Sequence, residues 1–78
     1  MAIKLEMLRC FAAVATTGSL AAAADLLGRT ASAVSMMLGQ FEAHLGAPLF
    51  EGERKSRLTP FGRTTLAEAE RAIAAFDG

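Results

Sequence analysis

Apolar residues recur along this chain at intervals of three and four rather than two, which predicts helices over most of its length. Leu8, Phe11, Val14 and Ala15 mark one side of a first helix over residues 3–17. Leu20, Ala23, Ala24 and Leu27 give a second, shorter helix a face of small residues. Val34, Leu38, Phe41 and Leu45 then follow a clean amphipathic stripe in a third. Gly62, Leu66, Ala69, Ile73 and Phe76 alternate spacings of four and three in a last helix that runs to about Phe76.

The punctuation between these stripes is as specific as the stripes. Gly18 ends the first helix, and Ser19 can cap the second. Gly28 supplies the backbone freedom for a tight stop, and Thr30 is a good N-cap for the third helix. Gly46 and Pro48 close that helix. Leu49-Phe50-Glu51 and Arg57-Leu58-Thr59 are short enough to be two strands of a hairpin whose tip is Gly52 to Ser56. Thr59-Pro60 starts the last helix as an N-cap followed by proline at the first helical position. Two short helices joined by a tight turn, the second with Ser32, Ser35, Met36, Gly39 and Gln40 opposite its apolar stripe, read as a helix-turn-helix. A small, polar outer face of that kind can approach base edges closely.

Composition narrows this picture. Seventy-eight residues make one domain near the lower limit for a self-sufficient core. A hydrophobic fraction of 53% is high for that size, so a second copy or a further domain is expected to cover some apolar surface. Net charge is zero, which argues mildly against a nucleic-acid partner, but distribution matters more than the sum. Arg54, Lys55, Arg57 and Arg63 fall within ten positions that contain no acid. Lys4, Glu6 and Arg9 interrupt the only candidate signal peptide, and no apolar run approaches a membrane span, so a cytoplasmic protein is expected, nucleoid-associated through any DNA binding. The single cysteine, Cys10, permits no internal disulfide, lies off the strongest stripe of its helix, and reads as an inert thiol.

Enzyme chemistry finds little to use. His44, the only histidine, lies on the third helix beside Leu45, so no metal cluster or Ser-His pairing is expected within the chain. Glu51 and Glu53 sit on the expected wing and read as solubilising charges. No glycine-rich phosphate loop is present, and no cofactor or metal is called for.

Taken in order, these residues resemble the N-terminal DNA-binding domain of LysR-type transcriptional regulators over essentially the whole chain. The resemblance rests on Leu8-x-x-Phe11-x-x-Val14-Ala15-x-x-x-Gly18-Ser19, on Ala23-Ala24-x-x-Leu27 and on Ala33-Val34-Ser35. It continues through Glu42-x-x-Leu45-Gly46-x-x-Leu49-Phe50 and Leu58-Thr59-Pro60-x-Gly62. It implies a mainly α winged helix-turn-helix of three helices and a short two-stranded β wing over residues 1–58. A long linker and dimerisation helix follows over 59–78. It also implies a large effector-binding domain that this chain does not include.

The departures bear on recognition. The family commonly has glutamine where this chain has Ala31, often proline where it has Ser32, and often Arg-Gln where it has Met36-Met37. The seven residues between Phe50 and Leu58 are about one fewer than usual, and an arginine typical two positions after Phe50 is replaced by Gly52. Base readout is therefore expected from Ala31, Ser32, Ser35, Met36 and Gln40, with Ala31 or Met36 meeting thymine methyl groups. Thr30, Arg54, Lys55 and Arg57 are the expected phosphate contacts. Leu66, Ala69, Ile73 and Phe76 are the expected seam of a homodimer on a broken-palindromic double-stranded operator. A winged-helix protein-interaction module without specific DNA binding is the alternative, supported by zero net charge and the missing Gln and Arg.

Overall fold

The structure, a computed structural model, describes residues 4–77. The chain runs α1 (Leu5–Thr17), α2 (Leu20–Leu27), α3 (Ala31–Leu45), β1 (Phe50–Glu51), β2 (Arg54–Leu58) and α4 (Pro60–Asp77). Ile3, the expected first residue of the first helix, lies outside the described residues. Lys4 is extended, and the helix begins after it. Ser19, Thr30 and Thr59 each cap the helix that follows: their hydroxyl oxygens accept the backbone N–H of Ala22, Ala33 and Gly62 at 3.2, 3.1 and 2.9 Å. The capping signals in the sequence are thus all in use.

The element around which the others gather is α1. Met7, Cys10, Phe11, Ala13 and Val14 are all buried, a wider arc than one amphipathic stripe, because α2 and α3 cover one side of α1 and α4 covers another. Phe11 is fully buried and meets Phe41 of α3 and Phe50 of β1, with both ring centroids 5.8 Å away. The second of these contacts is edge-on, a geometry that the ring quadrupoles favour. Cys10 belongs to this core rather than lying off it: its thiol is 3.6 Å from the Val34 carbonyl, and burial pushes its pKa up. The expectation of an inert thiol fits that position, although the reasoning from one stripe misplaced the residue.

The hairpin is tighter than its sequence suggests. Its tip is Gly52-Glu53 rather than Gly52 to Ser56, and β2 takes in Arg54, Lys55 and Ser56. Glu51 pairs with Arg54 and Phe50 with Leu58, with an irregularity between the two pairs. Gly52 adopts φ +59°, which turns the chain within two residues and frees the next three to extend. Ser56 packs against Gly18 at the end of α1, which supplies the tertiary support that the polar strand lacks on its own.

The last helix lies against α1 for much of its length. Gly62 and Ala69 are buried and Leu66 packs on the core, so this part of the expected intermolecular seam belongs to the chain's own interior. The reason is that a three-four repeat buries equally well against a helix of the same chain. Ile73 is half-buried, and only Phe76, 73% exposed, projects free of the fold. A hydrogen-bonded ion pair between Arg9 and Asp77 ties the end of α4 back to α1, and that hydrogen bond holds the Asp77 carboxyl below the usual carboxylate range.

Where α4 begins, two backbones touch. The Thr59 N–H donates to the Leu49 carbonyl at 3.0 Å, and a Cβ at Gly62 would lie 2.1 Å from that same carbonyl oxygen. Neither partner is a flexible side chain, so relief requires moving the backbone. Gly62→Ala is therefore expected to destabilise the domain by about 3 kcal/mol, read as a shift in the urea midpoint of unfolding. A variant as stable as the parent would show that the junction can open at no cost.

Candidate nucleic-acid interface

The second helix of the helix-turn-helix is held by one face and presents the other. Val34, Leu38 and Phe41 are buried, while Ala31, Ser32, Ser35, Met36, Gly39, Gln40 and Ala43 are exposed. At about 100° per residue, Ser32, Met36, Gly39 and Ala43 fall opposite the buried stripe, with Ser35 on its flank and Gln40 beside Met36. Met36 is 64% exposed, so this thioether fills no gap in the core. The face carries no Asp, Glu, Lys or Arg; two hydroxyls and one carboxamide can hydrogen-bond from it, and the exposed His44 imidazole flanks it beside Gln40. Ala43, which the expected contacts do not include, extends the strip by a turn.

The turn that presents this helix is fixed from three directions. Gly28 ends α2 in the left-handed conformation, and the Arg29 N–H returns to the Ala24 carbonyl at 2.9 Å. Thr30 caps α3 through its hydroxyl oxygen. The Arg29 guanidinium meanwhile reaches Glu6 in the first turn of α1, with its Nη2 2.6 and 2.8 Å from the two carboxylate oxygens. At the other end of α3, a Glu42 carboxylate oxygen accepts the Leu49 N–H at 2.7 Å and ties the helix to the root of the wing.

The three cations of the wing have different surroundings. Lys55 is half-buried, and its ammonium lies 5.4 Å from the centre of the Phe50 ring, a cation–π contact. Arg57 leans toward Glu51 at 3.7 Å, both groups being well exposed. Arg54 is exposed at the start of β2 and enters none of the ion pairs found among the described residues. Arg63, in the first turn of α4, is exposed and directs its guanidinium to the Leu58 carbonyl at 3.4 Å. Phe11 connects the helix and the wing, since Phe41 and Phe50 both rest on it.

Residues 5–63 match the family model described as bacterial regulatory helix-turn-helix protein, lysR family. The chain belongs to the LysR family. It is 37% identical over 75 residues to the HTH-type transcriptional regulator GalR of Pseudomonas putida, covering 95% of this chain and 19% of that protein. It is 43% identical over 70 residues to the small neutral protease regulatory protein of Streptomyces coelicolor, covering 88% and 21%. This LysR-family chain thus spans about a fifth of the length of those curated relatives. The crystal structure of a BenM DBD/benA site 1 DNA complex superposes with a TM-score of 0.91 at 32% identity, covering 96% of this chain and 85% of that one. A CbnR DBD–DNA complex gives 0.89 at 32% identity, covering 96% and 87%. The four helices and two-stranded antiparallel hairpin are thus the winged helix-turn-helix of the LysR family.

Within this LysR fold the Thr30 cap fixes where the exposed face starts. Thr30→Ala leaves the Ala33 N–H without its partner and is expected to cost about 1 kcal/mol of stability. Thermal melting followed by circular dichroism measures it. An unchanged melting temperature would mean that water replaces the hydroxyl without loss.

Proposed function

We propose that this LysR-family chain is the sequence-specific, double-stranded-DNA-binding module of a bacterial-type transcriptional regulator, and not an enzyme. The recognition helix Ala31–Leu45 enters the major groove. Ala31, Ser32, Ser35, Met36 and Gln40 meet base edges there, while Thr30, Arg54, Lys55 and Arg57 hold phosphates. The observation that carries this reading is the exposed, uncharged, small-residue face of α3, with Met36 64% exposed on it. A core explains none of those side chains, and a charged solvent face would look different. Solved relatives at 32% identity that are complexes with DNA support the same reading.

One observation favours the protein-interaction alternative. Arg9, Arg29, Arg57 and Arg71 are each paired with a carboxylate, and the chain has zero net charge. Selection of duplexes from a random pool, followed by mobility shifts across a salt series, separates the two. Specific DNA binding predicts selected duplexes bound roughly a thousandfold more tightly than mixed-sequence DNA, and affinity that falls steeply with salt. Affinity equal for all sequences, or absent, would favour the alternative. Arg54→Ala, Lys55→Ala and Arg57→Ala should each reduce the log–log salt slope by roughly 0.9 if each side chain neutralises one phosphate. Unchanged slopes in all three would remove the wing from the interface.

The module acts as a homodimer on a broken-palindromic operator, through the outer part of α4. Leu66 and Ala69 serve the chain's own core, which leaves Ile73 and Phe76 as the side chains for a second copy. Phe76→Asp adds a charge where little of the fold is disturbed. It is expected to give a folded monomer in sedimentation equilibrium, with most operator affinity lost because a single half-site binds weakly. A wild-type chain that is monomeric at high concentration would show that α4 alone does not form the dimer. In the intact regulator an effector-binding domain follows this module, and the protein works in the cytoplasm on the nucleoid. Among the described residues, no helix is long and apolar enough to cross a membrane.

A further inference from the structure

We propose that Arg29 is a phosphate-binding residue held in check by Glu6, so that this ion pair tunes how strongly the module grips DNA. The inference rests on the DNA-binding reading above. The exposed face of α3 carries no cation, and the basic wing residues lie beyond its far end in the chain. Arg29 directly precedes Thr30, the cap of the recognition helix, and it is the cation nearest in sequence to that helix's start. In helix-turn-helix docking, the start of the recognition helix is flanked by backbone phosphates.

In this structure the guanidinium is engaged elsewhere. One of its nitrogens lies 2.6 and 2.8 Å from the two Glu6 carboxylate oxygens, across 23 positions of sequence. The two side chains are 44% and 48% exposed, and exposed ion pairs of this kind contribute little to stability. Beside the pair is a cavity of about 180 Å³ lined by Cys10, Leu27, Val34 and Met37 together with Glu6, Arg29 and Arg9, the last already paired with Asp77. The guanidinium therefore packs against open space on that side and can leave Glu6 without tearing a filled core. A phosphate can accept the same charge-assisted hydrogen bonds, and it can also engage a second guanidinium nitrogen in the bidentate fork that the Glu6 contact, made through one nitrogen, does not use. Glu6 also lines a groove shared with Lys4, Met37, Gln40, Ala43 and His44, the edge of the proposed reading face; Lys4 offsets part of its field, which otherwise opposes an approaching phosphate whenever Arg29 does not neutralise it. Glu6 thus both competes for Arg29 and repels the ligand.

The test is fluorescence anisotropy of the full 78-residue chain on a mixed-sequence duplex of about two helical turns, across a salt series. Glu6→Gln, which keeps the shape of the side chain, is expected to tighten binding roughly three- to tenfold at low salt and to steepen the log–log slope by up to about 0.9. Arg29→Gln should flatten the slope, and in the Glu6→Gln/Arg29→Gln double variant most of the gain should vanish. Arg29→Lys, which retains the charge but not the fork, should bind better than Arg29→Gln. Glu70→Gln, at an exposed carboxylate on α4, controls for the general removal of negative charge. Circular dichroism melts of every variant confirm that each is folded. A Glu6→Gln variant no tighter than wild type, or one whose gain survives undiminished without Arg29, overturns the role of Arg29 alone. A folded wild type that binds no duplex overturns the DNA-binding reading and this inference together.

Discussion

The burial of one ring, that of Phe11, is the constraint on which the rest of the structure depends. It has no exposed surface and contacts Phe41 from the recognition helix and Phe50 from the first strand of the wing. Aromatic pairs of this geometry contribute about 0.5–1.5 kcal/mol each beyond the area they bury. Their directional importance is greater. The α3 helix and the wing have no extended sheet or second core between them, so their mutual placement rests on this side chain of α1. The Glu42 carboxylate adds a second tie by accepting the Leu49 N–H, and the Leu49 carbonyl in turn accepts the Thr59 N–H at the start of α4. The third helix, the hairpin and the start of α4 are thus referred to one support.

A domain with equal numbers of acids and bases can bind a polyanion only through where its charges are committed. Here the commitments run between elements: Arg9 to Asp77 joins α1 to α4, and Arg29 to Glu6 joins the turn to α1. Arg54 enters no such pair among the described residues, and Lys55 rests on an aromatic face that leaves its charge intact. The reading face itself is neutral. Under the proposed function, attraction and recognition fall to different parts of the molecule, charge to the wing and a neutral face of small, hydroxyl, amide and thioether side chains to the helix.

How much of this was legible in the sequence depended on whether a signal was local. The helix ends were legible because caps act within three residues: Ser19, Thr30 and Thr59 all do what their positions suggest. The exposed face of α3 was legible because Val34, Leu38 and Phe41 define its opposite. Signals that needed a second element failed. Cys10 was assigned away from the core because α1 was taken to have one buried stripe, whereas it is packed on two sides. Lys55 and Ser56 were assigned to a tip because nothing local marks them as strand; Phe50 and Gly18 provide their support from elsewhere. The repeat in α4 was read as intermolecular, and periodicity alone does not say which chain supplies the opposite surface. The Glu6–Arg29 pair spans 23 positions, and no pattern in the sequence announces it.

The position of Cys10 has a consequence for observing the molecule. It is the only cysteine in the chain, 1% exposed, with its thiol directed at the Val34 carbonyl of the recognition helix. Cys10 lines the cavity beside Glu6 and Arg29 but is almost fully covered. A reagent therefore reaches the sulfur when the walls of that cavity, α1 and α3 among them, move apart, and burial raises the thiol pKa and slows the reaction. The rate of thiol modification is therefore a built-in clock for separation of the recognition helix from its support. Binding that clamps the two helices together would slow the clock, while strain transmitted along α4 would quicken it, with no label added to the face that meets the partner.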